Sequence, residues 1–172
     1  PAADTFPPLA VYEAVVHLVS GKGRRAVPFM ELFAGVKKTT LGSGELIEAV
    51  ELPFLSKRPS RAFFKKVGAR AAQTISKTMG AGLLWLDKPG GKKAPPVALQ
   101  ARLAFGSVAP TVRRLKTVEA FLQGRPLDAA TIEEASALVE RDVNPIDDIR
   151  STAQYRLVVT GNILRAFLSA SR

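Results

Sequence analysis

The chain has 172 residues, of which 47% are hydrophobic, contains no cysteine and carries a formal net charge of +10 at pH 7. This length suits one domain, or a small domain with part of another. The lack of cysteine excludes disulfides, thiolate catalysis and cysteine-ligated zinc or iron–sulfur centres within the chain, and it fits a reducing compartment. No apolar run approaches the roughly 20 residues of a membrane span. We therefore expect a cytoplasmic protein with no membrane partner.

The basic residues are dispersed along the chain. Most stand in pairs beside glycine, proline or serine, as in residues 22–25 and 57–61, which is typical of solvated loops. A positive balance also suits nucleic acid, but no basic motif with interleaved aromatic residues supports this. We expect no nucleic-acid partner. A basic nucleic-acid-binding module stays as a competing hypothesis, which predicts steeply salt-dependent affinity.

The first third of the chain predicts a short helix and three strands. Asp4 is a candidate N-cap for a helical turn through residue 9, because Pro7 stands early enough that its missing N–H costs little. An apolar, β-branched run predicts the first strand, and a Gly-Lys-Gly turn after it indicates a hairpin with a short returning strand. A mixture of apolar and acidic residues predicts the third strand. The predicted strands cover residues 14–19, 24–28 and 46–52, with helical turns at 29–34 and a loop at 39–44.

Beyond a predicted boundary at residues 54–60, the pattern changes to strands followed by helices. Residues 62–68, 74–86 and 97–105 predict three antiparallel strands, of which the second is either one long apolar strand or a strand with bulges at Gly80 and Gly82. Residues 88–96, rich in Gly, Pro and Lys, predict an exposed hairpin tip.

Three helices complete the prediction. They cover residues 117–122, residues 129–141 with Asp128 as the N-cap, and a final helix that begins at Asp147 or Ser151 and carries Tyr155, Val159, Ile163 and Phe167. The fold class is α+β: a three-stranded antiparallel sheet covered on one side by helices.

No catalytic constellation stands out in the sequence. His17 is the single histidine and lies in a predicted apolar strand, which favours a structural or surface role over a catalytic one. The acidic pairs at residues 133–134 and 147–148 are adjacent in sequence, and adjacent helical residues point apart. We therefore expect no catalytic residue and no metal site in this chain.

Six segments carry a family resemblance. Residues 44–47 are Gly-Glu-Leu-Ile, Leu-Pro follows at 52–53, and residues 145–156 are Pro-Ile-Asp-Asp-Ile-Arg-Ser-Thr-Ala-Gln-Tyr-Arg. The other segments are residues 1–4, 25–41, 64–76 and 105–111. In this order they resemble the FAD-binding (medium) subunit of the molybdenum hydroxylases, the family of xanthine dehydrogenase and carbon monoxide dehydrogenase. The resemblance covers nearly the whole chain and only the C-terminal portion of such a subunit.

The resemblance implies a division of the chain and a set of partners. Residues 1–56 would be the C-terminal part of an FAD-binding domain, and residues 57–172 would be the small α+β domain that follows it. In the family, a molybdenum cofactor on the large subunit hydroxylates the substrate, and electrons pass through [2Fe–2S] centres on the small subunit to FAD, which reduces an acceptor. This chain would be a component of such an oxidoreductase.

Four residues are candidates for FAD binding by the same resemblance. Asp4 would lie near the ribityl–pyrophosphate region, Leu46 and Ile47 would pack against the isoalloxazine, and Lys66 would reach the flavin, with Lys65 as its rival if the register slips by one. Each has a simpler interpretation as well. Asp4 can be a helix cap, Leu46 and Ile47 can be core residues, and Lys66 can be an exposed strand lysine.

Departures from the family pattern limit the prediction. The sequence departs from the usual residues at four positions: Val36 replaces an aromatic residue, Lys37 replaces an arginine, and Ser107 and Ser151 each replace a glycine. The two Gly-rich stretches that hold the flavin pyrophosphate in this family have no counterpart in the sequence. We therefore expect a fragment that is inactive alone and shares FAD with an N-terminal half. The alternative is a flavin-free docking or scaffold domain of such a complex.

Overall fold

The computed structural model describes residues 3–70, 73–87 and 94–170. The strands are β1 (Val15–Ser20), β2 (Gly23–Pro28), β3 (Phe33–Gly35), β4 (Lys38–Thr39), β5 (Leu46–Glu51), β6 (Arg61–Val67), β7 (Thr78–Asp87), β8 (Val97–Gly106) and β9 (Arg113–Arg114). The helices are α1 (Phe6–Val11), α2 (Lys116–Leu122), α3 (Ala129–Ala137), α4 (Val139–Asp142) and α5 (Ala153–Ser169), with a 3₁₀ turn at Phe29–Glu31.

The centre of the molecule is an antiparallel sheet with the strand order β6-β7-β8-β9. Its first three strands confirm the predicted three-stranded sheet, and the α+β class is confirmed with them. The two-residue strand β9 was not predicted. It pairs with Ala104 and Phe105 of β8 and so extends the sheet by one short edge strand.

Helices α2 to α5 cover one face of this sheet. The core on that side contains Leu84, Leu103 and Phe105 from the strands and Leu164 from α5, all fully buried. Phe63 of β6 joins this core through a contact with the ring of Phe167 in α5, with 4.5 Å between the ring centroids. Removing these apolar surfaces from water is the main force that holds the helical layer on the sheet.

The N-terminal part of the chain covers the opposite face. Val11 of α1 and Val16 and Leu18 of β1 pack in a second core with Ala81 and Leu83 of β7. Alternate residues of β7 therefore serve different cores, and both faces of the strand are buried. For this reason β7 has a nearly continuous apolar sequence.

The structure decides between the two predictions for β7. No bulge occurs at Gly80 or Gly82, since the pairing of β7 with β8 is regular there and shifts between Trp85 and Leu86. A Cβ at Gly80 would collide with the ring of Phe105, and a Cβ at Gly82 with the ring of Phe63. The glycines therefore make room for aromatic rings.

Local boundaries also differ at three helices. The predicted cap Asp128 does accept a hydrogen bond from the Thr131 N–H at 2.8 Å, but the helix ends at Ala137 and α4 follows as a separate turn. The N-cap of α5 is Thr152, not Asp147 or Ser151. The predicted helical turns at residues 29–34 are a 3₁₀ turn followed by β3, which pairs with β4.

A smaller sheet has the strand order β2-β1-β5. The predicted hairpin of β1 and β2 is present, and β5 pairs with the other side of β1. Every residue of β5 is exposed. The predicted hairpin tip at residues 88–96 falls largely outside the described residues. In the part of the chain that the structure describes, no helix has the length and apolar character needed to cross a bilayer.

Candidate functional site

An ion pair joins two of the four candidate residues, although 62 positions separate them in the sequence. Lys66 Nζ lies 2.6 Å from Asp4 Oδ2. The Ser76 hydroxyl donates to the other carboxylate oxygen, Oδ1, at 3.3 Å. The lysine side chain is 27% exposed and the aspartate side chain 50% exposed. The pair is therefore accessible to a ligand at the surface.

Asp4 owes its position to the start of α1. Thr5 is the N-cap of this helix and its side chain makes no capping hydrogen bond. The interpretation of Asp4 as the cap of that helix is therefore wrong. Its carboxylate instead turns toward β6 and Ser76, because the first helical residues include prolines, which have no N–H to offer a cap.

The alternation of side chains along β6 separates Lys66 from its rival Lys65. Successive residues of a strand point to opposite faces of the sheet. Phe63 packs on α5, and Lys65 lines the same groove between β6 and α5. Lys66 lies on the other face, beside Asp4. The structure therefore brings Lys66, and not Lys65, to the Asp4 carboxylate.

Leu46 and Ile47 lie in the smaller sheet, at the beginning of β5. Leu46 is 70% exposed and Ile47 is 51% exposed, so the interpretation of both as core residues is wrong for this chain. Leu46 pairs with Val19 of β1, whereas Ile47 pairs with the buried Leu18. Paired residues share a face of the sheet. Ile47 therefore lies on the face on which Leu18 is buried in the second core, and Leu46 lies on the outer face.

A bidentate ion pair fixes the beginning of β5. The Arg25 guanidinium donates to both oxygens of Glu45 at 2.7 Å, and the Gly42 N–H donates to the same carboxylate at 2.6 Å. These hydrogen bonds, led by the one from Arg25, lower the pKa of Glu45 to about 2. Charge-assisted pairs of this geometry are directional. The ion pair therefore orients the residues next to Leu46.

Ser76 was not identified as a site residue from the sequence. It is buried and belongs to one of the six resembling segments, but a serine in a loop gives no signal of its own. Among residues 3–70, 73–87 and 94–170, no three histidine, cysteine or acidic side chains are grouped so that they could hold a metal ion.

Comparison with protein families decides what kind of chain this is. The family model described as the CO dehydrogenase flavoprotein C-terminal domain matches residues 62–171. The chain belongs to this family. A second model, the FAD binding domain in molybdopterin dehydrogenase, matches residues 1–55. The resemblance seen in the sequence is thereby confirmed for both parts of the chain.

Curated relatives agree with this flavoprotein family. The chain is 29% identical over 168 residues to the putative xanthine dehydrogenase FAD-binding subunit of Escherichia coli K12, covering 98% of this chain and 55% of the relative. It is 29% identical over 157 residues to the carbon monoxide dehydrogenase medium chain of Afipia carboxidovorans, covering 88% and 50%. The chain therefore spans about half the length of the curated relatives it matches.

Solved structures share the fold. A chain of the Cu,Mo-CO dehydrogenase in its cyanide-inactivated form superimposes with a TM-score of 0.82 at 24% identity, over 96% of this chain and 55% of the other. A chain of quinoline 2-oxidoreductase from Pseudomonas putida 86 gives a TM-score of 0.80 at 24% identity, over 96% and 54%. The packing of the helical layer and the N-terminal segment on opposite faces of one sheet is thus an arrangement of this flavoprotein fold.

Proposed function

We propose that the chain is the C-terminal part of an FAD-binding, electron-transferring medium subunit of a molybdenum hydroxylase. The single observation that carries the proposal is the accessible Asp4–Lys66 ion pair. It joins the two segments that the flavoprotein family models match, since Asp4 belongs to one segment and Lys66 to the other. FAD, when bound, supplies the electron-transfer chemistry, and the protein supplies position and charge.

The residues fit the cofactor in their donor chemistry. Lys66 presents a cation with three possible N–H donors, of which Asp4 engages one, so the ammonium retains donors for a flavin oxygen. A fixed positive charge beside the flavin favours its reduced, negatively charged form. Asp4 and Ser76 hold the ammonium in place. Of the two apolar candidates, Ile47 is the better wall for the ring, because it lies on the same face of its sheet as the buried Leu18.

The exposed edge of β5 supports a second polypeptide half as a partner. Four apolar side chains along and just beyond this strand are about half exposed or more, and the strand has a free edge in the described part of the chain. They are Leu46, Ile47, Val50 and Leu52. A free strand edge beside apolar side chains readily pairs with another chain. We infer that an N-terminal FAD-binding half covers this edge and supplies the Gly-rich stretches.

The remaining parts of the proposal come from the relatives. A molybdenum-cofactor large subunit and a [2Fe–2S] small subunit would be the other partners, with electrons passing from the iron–sulfur centres through FAD to an acceptor. We place the complex in the cytoplasm. The division into residues 1–56 and 57–172 remains part of this proposal.

The test substitutes the ion pair in the assembled complex, reconstituted with its N-terminal half and partner subunits. Lys66→Gln and Asp4→Asn should each weaken FAD retention by about tenfold, the scale of one hydrogen bond to a charged group. Lys66→Gln should also lower the flavin reduction potential, because the fixed cation is lost. Flavin absorbance per complex and a redox titration measure the two effects.

Lys65→Gln is the matched control, since it removes the same charge from the opposite face of the same strand. It should leave flavin content and potential unchanged. If Lys66→Gln and Asp4→Asn also leave both values unchanged while the complex assembles, the flavin role of the ion pair is wrong. That result would favour the alternative, a flavin-free docking or scaffold domain.

A further inference from the structure

A cleft of about 710 Å³ opens at the far end of β7 from Lys66. One wall is the linker between β5 and β6, and the other is formed by β7, β8 and the end of α1. Lys66 pairs with Met79, and Trp85 in the cleft is six residues further along β7. At 3.3 Å per residue, Met79 beside Lys66 and Trp85 in the cleft lie roughly 20 Å apart. The cleft is therefore separate from the proposed flavin site.

Positive charge predominates in this cleft. Lys57 and Arg58 line it, and neither forms an ion pair within the part of the chain that the structure describes. Glu13 is the one acidic residue among the described lining residues, and Arg102 already neutralises it at 3.1 Å. Arg114 binds the same carboxylate at 3.3 Å. Two cations are thus available to an anion.

The walls of the cleft are aromatic as well as basic. The side chain of Phe54 is fully exposed at its rim, and Tyr12 and the buried Trp85 also line it. The Arg102 guanidinium lies over the Trp85 ring, 5.5 Å from its centroid. Small-molecule sites in proteins are concave, have volumes of about 300–1,000 Å³ and combine apolar walls with a few polar groups. This cleft has that size and that composition.

We propose that this cleft binds an organic phosphate that carries an aromatic ring, of about the size of a nucleoside diphosphate. Lys57 and Arg58 contact the phosphates, since ammonium and guanidinium groups are the usual phosphate ligands in proteins. Phe54 and Tyr12 contact the ring, and an aromatic side chain offers a stacking surface to any base. No part of this site belongs to the ion pair at Lys66.

The linker carries the cations, and the central sheet holds it in place. The Trp85 indole N–H donates to the Lys57 carbonyl at 2.9 Å, and the Leu86 N–H donates to the Ser60 hydroxyl at 3.0 Å. An anion bound to Lys57 and Arg58 therefore tightens the linker on the sheet at Trp85. Because binding to the folded state alone stabilises it, the phosphate should raise the melting temperature of the chain.

Trp85 is the single tryptophan of the chain, so its fluorescence reports directly on the cleft. The 172-residue chain would be titrated with ADP at low salt, and with adenosine and inorganic phosphate in parallel. We expect a saturable change with ADP, and at least about tenfold weaker binding of adenosine and of phosphate, since each probe lacks one group of contacts. A linear, unsaturable response to ADP would overturn the proposal.

Variants locate the site. Lys57→Ala and Arg58→Ala should each weaken ADP binding by about tenfold, the scale of one charge-assisted hydrogen bond. Lys22→Ala, in the turn between β1 and β2, removes the same charge outside the cleft and should bind as the unsubstituted chain does. Equal weakening by all three would show nonspecific attraction to a basic protein and would overturn the proposal.

A further variant separates this site from the flavin site, since ADP is also a part of FAD. Lys66→Gln should leave ADP binding unchanged. If Lys66→Gln abolishes the ADP response and Lys57→Ala does not, ADP binds at the proposed flavin site and the cleft proposal is wrong, whereas the proposed function stands. Circular dichroism of each variant excludes misfolding as the cause of lost binding.

Discussion

The two sheets of the molecule differ in how completely they are covered. Strand β7 of the central sheet has a helical layer on one face and the N-terminal segment on the other, and eight of its ten residues are buried. Strand β5 of the smaller sheet has no buried residue. Both sheets are antiparallel; the central one was predicted as a sheet, whereas for the smaller one only the hairpin and a separate strand were predicted. The difference shows that a strand can form even when neither of its faces is buried.

The two regions also differ in the forces that hold them. The central sheet has cores of aliphatic and aromatic side chains. The strands of the smaller sheet are also joined by surface contacts, such as the Arg24–Glu48 ion pair between β2 and β5 and the His17–Glu51 hydrogen bond between β1 and β5, both at 2.8 Å. Exposed ion pairs contribute little to stability, because water and salt screen the charges and the long side chains lose entropy when they are held together. The central sheet should therefore determine the stability of the chain, and β5 should serve as a surface for a partner.

The largest expected effect comes from the central core. Phe105→Ala should lower the free energy of unfolding by about 3–5 kcal/mol, because it removes a fully buried ring and leaves a cavity. Phe54→Ala removes the same side chain from a fully exposed position and should change it by less than about 0.5 kcal/mol. Urea denaturation measures both. Similar losses would contradict the division into a stabilising and a non-stabilising region.

A smaller effect is expected from added volume in the same core. Gly80→Ala should cost about 1–3 kcal/mol, because the new Cβ collides with the ring of Phe105. Gly21→Ala, in the hairpin turn, is the control, since no atom lies within 4 Å of its new Cβ. Thermal denaturation compares the two. If Gly80→Ala were neutral, the tight contact between strand glycine and ring would not exist in solution.

The Arg25–Glu45 ion pair predicts a pH dependence in the smaller sheet. The pKa of Glu45 in the folded chain is about 2, below the ordinary value of 4.5. The Glu45 carboxylate therefore contributes stability above pH 4.5 that is lost as the pH falls toward 2. Glu45→Gln should flatten the unfolding free energy across that window. Glu134→Gln, on the exposed side of α3, should leave the slope unchanged. An unchanged slope in Glu45→Gln would contradict the ion pair.

The sequence predicts strands well where apolar residues determine them, and less well where buried polar groups do. Strands β6, β7 and β8 were predicted from their apolar runs. Strand β9 consists of two arginines and gives no strand signal, yet Arg114 is buried because Glu119 accepts its hydrogen bond at 2.6 Å. Glu119 lies on the following helix α2, and strand periodicity does not anticipate a partner on another element.

The final helix gives the same lesson. The sequence predicted a final helix that carries four large side chains at helical spacing, Tyr155, Val159, Ile163 and Phe167. Of these only Phe167 is buried. The buried side includes Arg156, which donates to the carbonyls of Lys77 and Ser107 and to Asp148. With Arg156 buried, the buried side of the helix is shifted by one residue from Tyr155. Hydrophobicity alone would place an arginine in solvent, because burying an unpaired charge is costly.

The candidate site was predicted by resemblance and not by local pattern. Asp4 and Lys66 are 62 positions apart, so no spacing rule unites them, and the structure then joins them directly. Leu46 and Ile47 were predicted as one apolar wall. Their position in a strand directs them to opposite faces, a consequence of the strand assignment already present in the sequence.

The smallest expected effect on the chain alone is that of Leu46→Ser. Because Leu46 is 70% exposed, its substitution should change the free energy of unfolding by less than about 0.5 kcal/mol. The same change should weaken association with the proposed N-terminal half by about tenfold, since burying an aliphatic side chain is worth about 1.5–3 kcal/mol. Val36→Ser, an exposed apolar residue outside β5, should change neither value. Denaturation and titration of the two halves by calorimetry separate the effects. A loss of stability without a loss of association would mean that β5 belongs to the folded core, and the contrast between the two sheets would then fail.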